Sequence, residues 1–256
     1  MKDMIFKHYS RILDDLIDEY NFFRYYFQRP YSIGDDILGE YEAETFQAWC
    51  LDIRFGISRG CLIDNSYDYV VKFDFPDEIE NACCDDEVYI YNQAKCEGFE
   101  KYLAEPIFLG VYTKTINTYS AYDINTSMDD FYGFDEEDFS NKLQSAKNDF
   151  GFEREEITIE LPLYAYPRAE YYNFPRVSDE DSARLAKSNC EESPLLERSM
   201  AVAATFMRQY GEEVFDAFSE FLQTMKINDL HAGNVMKHNG HLILTDYCGY
   251  HDKYDY

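Results

Sequence analysis

The sequence predicts an α+β fold, and three observations carry that expectation. Short β-rich runs separated by turn residues fill positions 55–73. Two long stretches, 2–28 and 196–224, repeat aromatic and aliphatic side chains at spacings of three or four, the period of an amphipathic helix. Near the end of the chain, residues 235–244 alternate around His238-Asn239-Gly240-His241, and an Asn-Gly pair is the strongest short-range signal for a tight hairpin.

The elements follow in order. Ile5, Tyr9, Ile12, Leu16 and Tyr20 share one face of the first helix, which Pro30 stops. Phe55-Gly56-Ile57-Ser58-Arg59-Gly60-Cys61 and then Asn65-Ser66 read as strand, glycine turn, strand, turn, strand, ending in Tyr69-Val70-Val71-Lys72-Phe73 before a turn at Pro76. A helix spans 85–94 and ends near Gly98, with Asp85, Asp86 and Glu87 in its first turn, where acids favour a helix N-terminus. Residues 157–167 alternate as a strand and break at the prolines. The second long helix carries Phe206, Tyr210, Phe215, Phe218 and Leu222 on one face, a packing stripe, and feeds into Asp229. With 24 tyrosines and 20 phenylalanines, much of the core must be aromatic.

The residues with the most chemistry lie around the hairpin. Asn228-Asp229-Leu230-His231-Ala232-Gly233-Asn234 precedes the first strand, and Asp246-Tyr247-Cys248-Gly249 follows the second. Asp229 and Asn234 are five apart, and Asp246 follows Asn234 by twelve; a hairpin between them returns Asp246 to the side of Asn234. Upstream, Lys72 sits in a β-rich run, and an ammonium there is costly to bury unless an anion meets it.

At these residues the sequence resembles the protein-kinase-like superfamily, in its catalytic loop and in its Asp-Phe-Gly metal motif, here with one extra residue. The form Asp-Leu-His-Ala-Gly-Asn is similar to the aminoglycoside and choline phosphotransferase branch and to small phage or bacterial kinases. The resemblance implies a two-lobed fold, ATP and magnesium as cofactors, and transfer of the γ-phosphate to a hydroxyl. Asp229 would accept the substrate hydroxyl proton, and Asn234 and Asp246 would hold magnesium. Lys72 would align the phosphates, and Glu87 would orient Lys72, with Asp86 as the competing candidate. Gly56, Ser58 and Gly60 would line the phosphate-covering loop, where backbone N–H groups approach phosphate only if side chains are small. The adenine would meet the hinge at 165–168, through Ala165 and Tyr166.

The resemblance covers roughly 55–114 and 157–249. The expected domains are an N-terminal helical region at 1–50, a small lobe at 51–166 with an acidic insertion at about 115–156, and a reduced large lobe at 167–256. Ile227 and Asn228 stand where regulated protein kinases carry His-Arg, and only seven residues follow Gly249, so the expected large lobe lacks the activation segment and late helices. A serine, threonine or tyrosine of a protein is the first substrate class and a small-molecule hydroxyl the second. The alternative from another class is an inactive pseudokinase, an acidic module that binds a basic protein.

Composition bounds the rest. A net charge of −27 opposes phosphate, so direct nucleic-acid binding is not expected and a basic protein partner is. Positions 127–156 hold ten acids against three bases, interleaved with aromatic residues, and read as partly helical around 137–147. No run of eighteen apolar residues or secretory pattern is present, and seven irregularly spaced cysteines fit a reducing cytoplasm. Cys83-Cys84 has no second pair at zinc-ligand spacing, so a structural metal is not expected.

Overall fold

The computed structural model describes residues 1–19, 51–55, 59–74, 83–119, 154–187, 193–227, 230 and 232–248. It is a mixed α+β structure that divides into two compact units, one of residues 1–83 with 107–165 and the other of 84–106 with 166–256. Among the described residues no helix is long and apolar enough to cross a membrane.

The first unit contains helix α1 (Lys2–Glu19) and strands β1 (Leu51–Phe55), β2 (Arg59–Asp64), β3 (Tyr69–Asp74), β4 (Ile107–Tyr119) and β5 (Arg154–Pro167), of which β5 reaches the unit's boundary. The sheet order is β1-β2-β3-β5-β4, with β1–β2, β2–β3 and β4–β5 antiparallel. The turn from β2 to β3 is built by Asp64, whose carbonyl accepts from Tyr67 N at 3.1 Å and whose carboxylate accepts from Ser66 N at 2.7 Å. A side-chain acceptor that captures a backbone donor two residues on is the usual device of an Asx turn.

Helix α1 packs against β4 within this unit. Ile5, Tyr9 and Ile12 of the helical stripe are buried, as is Leu13; the side chains of Leu16 and Tyr20 lie outside what is described. Polar contacts fix its rotation. Tyr9 donates to the Tyr69 carbonyl at 3.2 Å, Tyr112 donates to Asp14 at 2.9 Å, and His8 Nε2 lies 2.7 Å from Asp64 Oδ2.

Gly60, expected in a phosphate-covering loop, stands inside β2 opposite Phe73. A Cβ built on it would meet the Phe73 ring at 2.4 Å, so the missing side chain makes room for that ring. Gly56 and Ser58 lie outside the described residues. So does most of the expected acidic insertion, with its helix. Its two ends are strand, where β4 and β5 pair from Ile107–Ala165 out to Tyr119–Arg154. The run Thr113-Lys114-Thr115-Ile116 opposite Ile157-Thr158-Ile159-Glu160 is β-branched on both sides, which favours pairing over a loop.

In the second unit, helix α2 (Cys83–Glu97, from residue 84 on) is followed by a 3-10 turn (Glu100–Tyr102), then α3 (Asp179–Leu185), α4 (Pro194–Arg198), α5 (Met200–Tyr210), α6 (Glu212–Thr224) and the hairpin β6 (Val235–His238) and β7 (His241–Leu244). The single helix expected over 196–224 is three helices. Ser199 adopts an extended conformation and caps α5 through Oγ to Val202 N, and Gly211 at φ +92° separates α5 from α6. Serine competes for backbone donors at a helix start and glycine alone takes that φ without strain, so both residues break the periodic stripe. The stripe still faces inward. Phe206 stacks on Phe218 at 5.1 Å, and Tyr102, Phe99 and Phe221 complete an aromatic core.

The Asp64 carboxyl couples this fold to pH. Burial pushes it up, but the Ser66 N–H and His8 outweigh burial and hold it below the usual carboxylate range. A carboxyl that is lower in the folded chain than in the unfolded one stabilises fully above about pH 4 and loses that contribution as pH falls through its folded value. The stability gap between the wild type and Asp64→Asn in urea denaturation is therefore expected to shrink as pH drops below about 4. A gap that stays constant from neutral to acid pH would contradict this origin.

Candidate active site

The candidate site is built within the second unit by the hairpin and the first turns of α2. Asn239 (φ 49°) and Gly240 (φ 86°) both take positive φ, the two-residue turn whose twist matches paired strands, and the register runs Val235–Leu244 to His238–His241. Both flanks of the hairpin are tied down. Glu170 exchanges two backbone hydrogen bonds with Lys237 at 2.8 Å each, and Ala104 N donates to the Leu244 carbonyl at 2.8 Å. The pairing continues one step past the strands, where Thr245 donates from N (2.9 Å) and Oγ1 (3.2 Å) to the Asn234 carbonyl. That step pairs Thr245, the residue before Asp246, with Asn234.

The approach to Asn234 is equally constrained. Helix α6 ends with Lys226 at φ 56° and with Ile227 N bonded to the Leu222 carbonyl at 2.9 Å, a left-handed helix stop that turns the chain sharply. Ile227 and Leu230 are buried. Asp229 itself lies outside the described residues.

Beyond β7 the chain is held by Tyr247. Its ring is fully buried, its hydroxyl donates to the Ala104 carbonyl at 2.7 Å, and its backbone N–H donates to Glu87 Oε1 at 3.0 Å. The two residues that flank Tyr247 in the chain, Asp246 and Cys248, come to one place. There they meet Glu87, which is 0% exposed: one ligand atom each of Glu87, Asp246 and Cys248 lies within 4.8 Å of the other two. The Cys248 thiol donates toward Asp246 Oδ1 at 3.9 Å.

Sequence reasoning paired Asp246 with Asn234 but missed Glu87 and Cys248 as the neighbours of Asp246. The signals available were the acidic first turn of α2 and the Asp-x-Cys alternation, and neither reveals that positions about 160 apart in sequence converge. Lys72 belongs to the first unit, where it is buried in β3 with Cys61 as its cross-strand partner. Ala165 and Tyr166, expected at the hinge, are buried at the end of β5, where the chain passes from one unit into the other.

No protein-family model, curated protein or solved structure matches the chain. The functional reading therefore stands on the residues themselves.

Tyr247 is the element most open to test. Tyr247→Phe leaves the ring in place and the Ala104 carbonyl without its donor, at an expected cost of about 1–2 kcal/mol in chemical denaturation. A cost indistinguishable from zero would mean that the phenol does not hold the segment.

Proposed function

We propose that the chain is an ATP- and magnesium-dependent phosphotransferase acting on a hydroxyl, with a serine, threonine or tyrosine of a protein as the substrate class. A reduced two-lobed, protein-kinase-like fold is part of the same proposal. The observation that carries it is the hairpin, whose continued pairing from Thr245 to Asn234 returns the segment that bears Asp246 to the segment that bears Asn234. Two further facts support it. A buried lysine stands in β3 of a five-stranded sheet, and the chain changes units at Ala165–Tyr166, where the hinge is expected.

The donors fit the cofactor. Asn234 and Asp246 offer amide and carboxylate oxygens, the hard ligands that magnesium takes alongside phosphate oxygens. The chemistry the cation supplies is neutralisation of charge on the β- and γ-phosphates. The chain's own residues do the positioning. Lys72 aligns the phosphates as a point charge, Asp229 orients the acceptor hydroxyl and takes its proton, and the hairpin holds the oxygen donors still. The role of Glu87 toward Lys72 rests on the resemblance alone. Phosphoryl transfer is mostly placement and electrostatics, so this small set suffices for the reaction class.

ATP is expected to raise the melting temperature with magnesium and far less with EDTA, since phosphates meeting carboxylates need a cation between them. At a hundredfold excess over Kd the gain is about 2.7 kcal/mol. Asp246→Asn should lose most of that shift, whereas Asp229→Asn should keep it and lose turnover of γ-labelled ATP. Equal shifts with and without magnesium would sink the cation assignment. Binding without turnover in the wild type would favour the inactive, protein-binding alternative.

A further inference from the structure

We infer that Glu87, Asp246 and Cys248 form a seat for a thiophilic divalent cation of the zinc class, sharing Asp246 with the proposed magnesium position. The seat itself is read from geometry; only the competition with magnesium rests on the phosphotransferase reading. The cysteine spacing of the sequence offers no such site, because the three ligands come from α2 and from the segment after β7 and meet only in the fold.

Three observations carry the inference. The donor set is two carboxylates and a sulfur, with ligand atoms mutually within 4.8 Å. In a tetrahedral zinc site with bonds of about 2.1 Å to oxygen and 2.3 Å to sulfur, the oxygen–sulfur edge is roughly 3.6 Å. The Cys248–Asp246 separation of 3.9 Å is already close to that edge, and rotation of side chains by roughly 1 Å would close the remaining gaps. Second, the ligands are pre-placed by backbone rather than by flexible stems. The Tyr247 N–H fixes Glu87, and the buried Tyr247 ring anchors the residue between Asp246 and Cys248. Third, Glu87 and Cys248 are buried, at 0% and 9% exposure, whereas acids that merely solvate a surface stay in water.

Sulfur decides the class of ion. Magnesium takes oxygen donors and keeps its waters, so Cys248 is of no use to it. A thiolate selects borderline and soft ions such as zinc, cobalt or cadmium. On binding, the cysteine S–H bond breaks, a sulfur–metal bond forms and the proton leaves to water; nothing is oxidised or reduced. Three protein ligands leave a fourth position for water, an open site of the kind that exchanges ions. With Asp246 drawn toward Cys248 and Glu87 and a second dication close by, an occupied seat would weaken magnesium-dependent nucleotide binding, and zinc would inhibit the protein.

Cobalt(II) alone is the probe, added to the full chain. A thiolate ligand to cobalt gives an intense near-ultraviolet charge-transfer band, which is expected to saturate at one ion per chain. Cys248→Ser should abolish the band, and Glu87→Gln or Asp246→Asn should weaken binding by roughly tenfold or more. A Cys83→Ser/Cys84→Ser/Cys96→Ser variant should keep the band. Zinc should displace the cobalt, and magnesium at the same concentration should not. Far-ultraviolet circular dichroism checks that each variant is folded. A band that survives Cys248→Ser, or fails to form in the wild type, overturns the seat, and ATP stabilisation by magnesium then still judges the phosphotransferase reading separately. A band with the expected losses, together with reduction of the magnesium–ATP melting shift by zinc, supports both the seat and the shared Asp246. The expected band with an unchanged magnesium–ATP shift would support the seat and overturn the sharing.

Discussion

The hydrogen bond from the Tyr247 backbone N–H to the buried carboxylate of Glu87 is the constraint on which the candidate site depends. It joins the first turns of α2 to the exit of the hairpin. A hydrogen bond is electrostatically stronger in a buried setting than in water, and a buried acceptor left without its donor is costly. Removing the carboxylate would free the segment after β7, while removing the amide is impossible without proline. The site is thus held by a pairing that side-chain drift at the surface cannot loosen.

The rest of the arrangement follows from backbone register. Asn239 and Gly240 fix the hairpin, and the hairpin fixes the Thr245–Asn234 step, one residue before Asp246. Tyr247 is then buried, and the residues that flank it, Asp246 and Cys248, come to one place. Electrostatics gives the result its chemical character. In a chain with a net charge of −27, gathering two carboxylates and a thiol at one place favours a cation, and the sulfur sets which ions it favours.

What was legible in the sequence was local. The Asn-Gly pair announced the hairpin because only a few residues accept positive φ at both turn positions, and the β-branched run around Lys72 announced β3. The apolar face of α1 was readable from its period, and so were the aromatic positions of α5 and α6. What failed was continuity. A stripe at helical spacing runs unbroken through Ser199 and Gly211, although the backbone changes direction at both, because periodicity records which residues are buried and not whether one helix buries them. Gly60 looked like a loop glycine and is a strand glycine, since a ring packing from the neighbouring strand leaves no trace in local sequence. The convergence of Glu87 with Asp246 and Cys248 was invisible for the same reason, being a tertiary fact about residues far apart.

The central claim is that a nucleotide-bound cation sits between Asn234 and Asp246 at the exit of the hairpin. Paramagnetic manganese can stand in for magnesium, and its effect on amide resonances falls off steeply with distance. On adding manganese–ATP at well below one equivalent, the amides of Asn234, Thr245, Asp246 and Tyr247 should broaden first, while those of α1 and α6 remain sharp. Broadening spread evenly over the acidic surface, or absent from the hairpin exit, would contradict the account.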